Sequence, residues 1–258
     1  MGVVNVTPDS FSDGGFHADA KQAVAHAHRL IEEGADLLEL GGESTRPGAT
    51  LVSLDEERRR VLPVLEELAG CGVPVSVDTR KPELMREAIA AGAAMVNDVT
   101  ALTASGALEA VAKTPAAVCL MHMQGEPGTM QVNPVYEDVV RDVRDYLSRR
   151  VTAAEAAGIA RDRLVVDPGF GFGKTLEHNL ALLRSLADFS SLGVALMVGL
   201  SRKAMLGKLT GREPRDRVHA SIAAALLAVQ NGAQIVRVHD VAATREALAV
   251  WNAVKNGN

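Results

Sequence analysis

The chain begins with the stretch Met1-Gly-Val-Val-Asn-Val-Thr-Pro-Asp-Ser-Phe-Ser-Asp-Gly-Gly15, in which a short apolar run ends in a loop rich in polar residues, proline and glycine. Such a run is typical of a buried β-strand, and proline and glycine mark the turn after it. The side-chain oxygens of the loop could contact a hydrated cation or a phosphate, but they could equally serve a surface turn and a helix N-cap. The same order of apolar run and polar loop recurs along the whole chain, and this recurrence decides the fold.

Eight apolar runs predict strands, and eight stretches with helical spacing lie between and after them. The predicted strands are residues 2–6, 36–42, 73–79, 93–99, 116–123, 164–170, 195–201 and 234–240. The predicted helices are residues 19–33, 53–69, 81–91, 106–113, 136–157, 176–187, 215–231 and 244–254. Eight β/α units with short connections predict an α/β fold, a closed TIM (β/α)8 barrel. An open doubly wound sheet shows the same local alternation and is the alternative, which the count of eight disfavours.

Composition agrees with one domain over residues 1–258, since a single α/β barrel commonly has this length. Apolar residues make up 47% and aromatic residues only 3%, as expected for parallel strands covered by alanine-rich helices. A net charge of −5 argues against nucleic acid as the main partner. Cys71 and Cys119 form no disulfide framework or zinc motif, and no apolar stretch is long enough for a bilayer. A cytoplasmic protein with no membrane partner is therefore predicted.

Polar residues follow nearly every apolar run, so a closed barrel would collect them at the carboxyl ends of its strands, where barrel enzymes carry their active sites. A first group contains two carboxylates, an amide and an ammonium, which suit the donor and acceptor edge of a flat heterocycle: Asp78, Asn97, Asp167 and Lys203. Each of them, taken singly, could instead form a salt bridge or a helix cap. Four at corresponding positions favour a binding site.

A second group has the chemistry expected for a phosphate or pyrophosphate: Asn5, Arg46, Arg237 and His239. Magnesium is expected with it, bound by few protein oxygens and mostly by water and phosphate. His239 could instead be a histidine that only satisfies hydrogen bonds at a strand end. Arg237 could instead pair with Asp240.

The segment Asp167-Pro-Gly-Phe-Gly-Phe-Gly-Lys-Thr175 looks like a nucleotide-binding P-loop, but Pro168 stands where that motif needs its first glycine. Its glycines also miss the dinucleotide fingerprint. They are expected to let the backbone pass close to a ligand, with Phe170 or Phe172 closing over a ring.

Several motifs together resemble the dihydropteroate synthase family, a group of pterin-binding enzymes. They are Asn5-Val-Thr-Pro-Asp-Ser-Phe-Ser-Asp-Gly-Gly15, Gly41-Gly-Glu-Ser-Thr-Arg-Pro-Gly48, Asp167-Pro-Gly-Phe-Gly-Phe-Gly-Lys174, Ser201-Arg-Lys203 and Arg237-Val-His-Asp240. The resemblance implies a homodimeric (β/α)8 barrel of folate biosynthesis that is the target of sulfonamide drugs. It implies a transferase of alkyl groups other than methyl, which joins 6-hydroxymethyl-7,8-dihydropterin diphosphate to 4-aminobenzoate and releases pyrophosphate.

The resemblance also implies a role for each matching residue. The pterin would be bound by Asp78, Asn97, Met121, Asp167, Phe172 and Lys203. The diphosphate would be bound by Asn5, Arg46, Arg237 and His239, with Asn5 also contacting magnesium. The aminobenzoate would be framed by Phe11, Thr45, Pro47 and Ser201, its carboxylate at a helix that begins near Ser201. The catalytic residues would be Asp78, Asp167, Lys203, Arg237 and His239.

The family usually carries a hairpin before its first strand, whereas this sequence starts within that strand, so either the hairpin is absent or the start of the sequence is misplaced or trimmed. Two functional alternatives remain open at this stage. One is a pterin-binding methyltransferase domain that acts on methyl-tetrahydrofolate. The other is a paralogue that binds a pterin without catalysis.

Overall fold

The computed structural model describes residues 1–6, 16–44, 51–126 and 128–256. Strands and helices alternate in these residues as the sequence predicts, except that two α-helices instead of one lie between the seventh and the eighth strand. The eight strands of these residues are β1 (Gly2–Asn5), β2 (Leu38–Gly41), β3 (Val75–Asp78), β4 (Met95–Asp98), β5 (Ala117–Met121), β6 (Leu164–Asp167), β7 (Ala195–Val198) and β8 (Ile235–Val236). Their α-helices are α1 (Phe16–Glu32), α2 (Leu54–Glu67), α3 (Pro82–Ala90), α4 (Ala107–Ala112), α5 (Val139–Ala156), α6 (Leu176–Arg184), α7 (Ala204–Thr210), α8 (Val218–Gln230) and α9 (Val241–Asn256). Short 3-10 helices lie at Arg161–Arg163, Leu186–Leu192 and Pro214–Asp216.

The strands pair in parallel and in chain order, from β1 to β8. The residues after β8 return to β1 and close the sheet: the Val3 amide donates to Val238 O at 3.1 Å, and the Val238 amide donates to Met1 O at 2.9 Å. The predicted (β/α)8 barrel is therefore confirmed over an open sheet. Each strand is shorter than the apolar run that predicts it, because the remaining residues of the run lead the chain into the neighbouring loops.

Alternate residues of each strand face opposite sides of the barrel wall. On β6, Val166 packs in the large core between the barrel and its helices, whereas Val165 packs inside the barrel with Met95. Asn97 and Asp167 lie two residues beyond Met95 and Val165, so their side chains point to the same inner side. The polar residues thus lie directly above an apolar interior, at the carboxyl ends of the strands.

Local sequence explains where several helices begin. The Asp138 carboxylate accepts from the amides of Val140 and Arg141 and so caps α5, since the first amides of a helix have no partner within it. The helix expected near Ser201 is α7, whose first residue is Ala204. Among the helices that the structure describes, none combines the length and the apolar composition needed to cross a bilayer.

Candidate active site at the barrel mouth

Ten of the predicted site residues lie in the described part of the chain: Asn5, Asp78, Asn97, Met121, Asp167, Phe172, Ser201, Lys203, Arg237 and His239. They come from or directly follow strands β1, β3, β4, β5, β6, β7 and β8, so they share the carboxyl end of the barrel. Four predicted residues lie outside the described residues: Phe11, Thr45, Arg46 and Pro47.

The predicted pterin group is brought together. Asp78 and Asn97 are paired in register on neighbouring strands, and both are buried. Asp167 is also buried, and its Oδ1 accepts from the Gly169 amide at 2.7 Å. Lys203, which follows β7, donates to Phe170 O, and its Nζ lies 4.6 Å from the centre of the Phe172 ring. Two carboxylates, an amide and an ammonium therefore surround one end of the barrel.

An apolar wall adjoins these polar groups. Met121 and Phe172 are buried and pack together with Val99 and Met130, as a small cluster separate from the main core. Met121 and Phe172 are the two residues predicted to line the pterin, and the structure brings them together in one cluster. Phe170 is different: it is fully buried in the core between barrel and helices, so the phenylalanine that faces the mouth is Phe172.

Glu39 is a site residue that sequence inspection missed. It lies on β2, is 0% exposed, and accepts from Asn97 Nδ2 at 2.9 Å while it forms an ion pair with Arg237 Nε. The signal in the sequence was one charged residue in the middle of an otherwise apolar run. A charge there requires a partner inside the barrel, since an unpaired buried carboxylate is strongly destabilising.

Arg237 connects the two predicted groups. It was placed with the phosphate ligands, but in the structure its guanidinium pairs with Glu39 and its second terminal nitrogen lies 3.5 Å from Asp78 Oδ2. The alternative that Arg237 pairs with Asp240 is wrong, because Asp240 accepts from Arg202 Nε at 3.0 Å. Arg237 therefore neutralises part of the charge of two buried carboxylates.

Burial and neighbouring charges shift the pKa values of the titratable groups at the mouth. Burial raises the pKa of Asp78 well above its ordinary value, Glu39 adds to the rise, and Arg237 opposes it. Burial also raises the pKa of Asp167, against the opposing charge of Lys203. Burial lowers the pKa of Lys203 to about 8, although the Asp167 carboxylate opposes that shift. Displaced ionisation of several groups in one mouth is typical of a functional site.

His239 and Ser201 lie in contact. The His239 amide donates to Ser201 Oγ at 3.2 Å, and His239 Nδ1 lies 3.0 Å from the same oxygen. His239 is predicted to bind the diphosphate, and Ser201 is predicted to contact the aminobenzoate. Because the two residues lie in contact, the two predicted binding regions would be adjacent. Ser201 is buried, whereas His239 is partly exposed.

The loop from Gly169 to Lys174 approaches the chain's own backbone. A Cβ at Gly169 would lie 1.8 Å from His122 O, and one at Gly173 would lie 2.5 Å from Gln124 O. Both residues have positive φ, near +70° and +61°. The expectation that the glycines make room for a ligand is therefore wrong for these two positions, because the segment after β5 occupies that room.

Lys174 fixes the same loop from inside. Its Nζ donates to Phe172 O at 2.9 Å and to Gly169 O at 3.0 Å, and lies 2.9 Å from His122 Nδ1. Only 3% of Lys174 is exposed. The lysine that gives this segment its likeness to a P-loop thus holds its own loop together instead of binding a phosphate.

Asn5 is the described residue for which a contact with magnesium is predicted, and that contact stays a prediction. Asn5 ends β1 beside Gly41, and a Cβ at Gly41 would lie 3.8 Å from Asn5 Oδ1. One amide oxygen suits a cation that keeps most of its ligands as water and phosphate oxygens. Among the described residues, no group of three or more His, Cys, Asp or Glu side chains could hold a metal ion.

Fold and site together define an α/β barrel whose mouth gathers buried polar side chains above an apolar interior. Residues 1–239 match the family model described as pterin binding enzyme. The chain is 54% identical to the dihydropteroate synthase of Neisseria meningitidis serogroup B, over 98% of this chain and 92% of that protein. It is 51% identical to the dihydropteroate synthase of Escherichia coli, over 98% of this chain and 90% of that protein.

A solved structure agrees with these sequence matches. Dihydropteroate synthase of Xanthomonas albilineans with 4-aminobenzoic acid superposes with a TM-score of 0.94 at 58% identity, over 99% of this chain and 92% of that chain. The chain belongs to the dihydropteroate synthase family of pterin-binding enzymes. It is therefore an enzyme of folate synthesis, a transferase of alkyl groups other than methyl.

Proposed function

We propose that this chain joins 6-hydroxymethyl-7,8-dihydropterin diphosphate to 4-aminobenzoate, which gives 7,8-dihydropteroate and pyrophosphate. The observation that carries the proposal is the convergence of Asp78, Asn97, Asp167 and Lys203 at one mouth, beside the apolar wall of Met121 and Phe172. Full-length similarity to named synthases, one of them solved with 4-aminobenzoic acid, supports the choice of substrates. It also favours the synthase over a methyltransferase or a non-catalytic paralogue.

The buried polar groups bind and polarise the pterin. Asp78 and Asp167 accept N–H groups of the ring, and Lys203 donates to one of its acceptors, while Phe172 packs on a face of the ring. Both carboxylates are desolvated, so they respond strongly to positive charge that develops on the ligand. Arg237 and Lys203 keep the mouth from accumulating excess negative charge before the ligand arrives.

Substitution occurs at the exocyclic methylene of the pterin. The bond between this carbon and the diphosphate oxygen breaks, the electron pair leaves with pyrophosphate, and the positive charge spreads into the ring beside Asp78 and Asp167. The amine of 4-aminobenzoate then forms the new carbon–nitrogen bond and releases a proton. Cationic side chains stabilise the leaving group, and among the described residues we assign this task to His239 and Arg237, as the sequence predicts.

Several roles remain proposals on the basis of the sequence. Asn5 would hold magnesium, which neutralises charge on the diphosphate when bound. Arg46 would add a further guanidinium, and Phe11, Thr45, Pro47 and Ser201 would frame the aminobenzoate.

Cys71 and Cys119 are both free thiols, which fits a cytoplasmic protein. A homodimer is likewise proposed, and light scattering of the purified protein would measure its mass.

The function is tested by mixing the protein with both substrates and magnesium and measuring pyrophosphate with and without aminobenzoate. The synthase releases pyrophosphate in an aminobenzoate-dependent way and forms 7,8-dihydropteroate. A binding-only protein would bind the pterin and release none, and a methyltransferase domain would require methyl-tetrahydrofolate. Arg245→Ala is a suitable control, because its exposed ion pair with Asp36 lies at the amino end of β2, away from the mouth.

The division of roles is tested with His239→Ala. We expect kcat/KM for the diphosphate ester to fall about 30-fold, because one leaving-group contact is lost, while the Kd of the free pterin changes less than about twofold. Steady-state kinetics and calorimetry measure the two quantities. An equal loss of free-pterin affinity would place His239 with the ring instead.

A further inference from the structure

Glu39 lies beneath the residues that bind the pterin. Within β2 it is two residues before Gly41, which pairs in register with Asp78, so Glu39 occupies the next layer down inside the barrel. Its carboxylate is fully buried and is shared between Asn97 and Arg237. It therefore contacts two residues of the mouth without standing at the mouth itself.

The contact with Asn97 determines which atom of the amide is available. The Glu39 carboxylate is paired with the Arg237 guanidinium, and a carboxylate in such an ion pair accepts hydrogen bonds, so the amide nitrogen of Asn97 faces Glu39. Asn97 Oδ1 is then left buried and without a hydrogen-bond partner among the described residues. A buried acceptor in this state favours a ligand that brings an N–H group. Asn97 is thereby committed to act as an acceptor.

The contact with Arg237 determines where its guanidinium points. With Nε on Glu39, a terminal nitrogen of Arg237 lies 3.5 Å from Asp78 Oδ2. The planar guanidinium has fixed donor directions, so anchoring one edge orients the others. Glu39 thus sets the position of the cation that faces Asp78.

We propose that Glu39 is a positioning residue of the pterin pocket, which orients Asn97 so that its Oδ1 accepts an N–H group of the ring and which fixes Arg237 beside Asp78. This inference rests on the proposed function, because it names the atom of Asn97 that meets the pterin. It predicts that Glu39 affects pterin affinity through Asn97 and Arg237, without touching the ligand.

A double-mutant cycle tests the route through Asn97. Glu39→Met preserves length but removes both contacts, and we expect the Kd of a free pterin, measured by calorimetry, to rise about 10-fold or more. In an Asn97→Ala background the same change should raise the Kd by about threefold or less, because only the Arg237 route remains. A full 10-fold effect in both backgrounds would overturn the route through Asn97.

Glu57→Gln is the matched control. Glu57 is also 0% exposed and also pairs with a cation, but its partner is Lys81 and not a residue of the pocket. We expect this variant to lower the melting temperature and to leave the pterin Kd within about twofold. If Glu39→Met does not fold, Glu39→Gln replaces it, with a rise in Kd of at least about threefold expected. An unchanged Kd in either folded Glu39 variant would overturn the proposal.

Hydrogen exchange of the Asn97 side-chain amide tests the anchoring without any ligand. In the free protein this amide should exchange slowly, and Glu39→Met should speed its exchange at least about 10-fold, as seen by nitrogen-15 NMR. Equal exchange rates would overturn the inference even if the enzyme is active. If the unaltered protein neither binds a pterin nor releases pyrophosphate, the proposed function fails, and the exchange experiment still reports on Glu39 and Asn97.

Discussion

Two lysines contact the same glycine loop from opposite sides. Lys174 donates to the carbonyls of Gly169 and Phe172 from within the fold, whereas Lys203 donates to the carbonyl of Phe170 from the mouth. Lys174 is almost completely buried, and Lys203 is partly exposed. The loop is thus clamped between an internal cation and a cation of the active site.

The neighbours of each lysine separate structure from function. Lys174 is surrounded by carbonyl dipoles and by His122, and burial lowers its pKa well below the ordinary value. Burial lowers the pKa of His122 to about 2, with Lys174 adding to the shift, so the imidazole is neutral and its Nδ1 can accept. Lys203 instead faces Asp167 and the Phe172 ring. Within the described residues its one hydrogen-bond acceptor is Phe170 O, which leaves two N–H groups for a ligand.

The largest expected effect is that of removing the mouth lysine. Lys203→Ala should lower kcat/KM about 1000-fold, because a charged donor to the pterin is lost from a desolvated site. Its melting temperature should fall less than that of a Lys174 variant, since Lys203 donates to one loop carbonyl whereas Lys174 donates to two. Steady-state kinetics and a thermal melt measure the two effects. If the melting temperature fell as much as in a Lys174 variant, Lys203 would have a structural role like that of Lys174, and the distinction between the two lysines would be wrong.

Crowding under the loop should have the next largest effect. Gly169→Ala should destabilise the protein by at least about 3 kcal/mol, because the new methyl group meets a backbone oxygen and the residue keeps a positive φ. Gly158→Ala is the control: φ is also positive, near +92°, but no atom lies within 4 Å of the added carbon among the described residues. It should cost about 1 kcal/mol. Urea unfolding measures the free energy of unfolding of both variants. If the two variants lost the same free energy of unfolding, the loop at Gly169 would be able to move away from His122 O at no cost.

Removing the internal lysine should cost less than crowding the loop. Lys174→Met keeps the volume but leaves the acceptors of the loop unsatisfied, so we expect a loss of about 2 kcal/mol and a melting temperature lower by about 6 °C. Turnover should fall by less than about 10-fold, because the loop is displaced while Lys203 remains. Turnover lost as completely as in Lys203→Ala would assign Lys174 to the chemistry.

Sequence alone was sufficient for the barrel and for most of the described mouth. The period of the apolar runs reveals the strands, and parallel pairing then brings the residues that follow each run to one end. Asp78 and Asp167 follow from this rule because each is the last residue of its strand, and Asn97 follows because it is the last but one residue of β4. Their position depends on local pattern and topology, both of which are visible in the residues.

Sequence was insufficient where a residue's role depends on a distant partner. Glu39 contacts residues 58 and 198 positions away in the chain, and no local pattern indicates either contact. Phe170 and Phe172 look alike in the sequence, yet the turn of the loop sends one to the core and the other to the mouth. Gly169 and Gly173 allow their loop to pack closely against the segment after β5. This contact joins two loops that are distant in the sequence, so no local pattern indicates it.

The smallest expected effect is the pH dependence that the mouth lysine confers. Its pKa is lowered to about 8, so Lys203 is charged below that pH and loses its proton as the pH rises through it. If binding requires the charged form, kcat/KM should fall roughly fivefold between pH 8 and pH 9. Lys203→Arg should be less active overall but should show no such fall in this interval, since a guanidinium stays protonated. Lys174 is almost completely buried and hydrogen-bonded within its loop, so Lys174→Met should keep the fall of the unaltered enzyme. A pH profile of kcat/KM for the three proteins measures this, and a fall that persists in Lys203→Arg would assign the titration to another group.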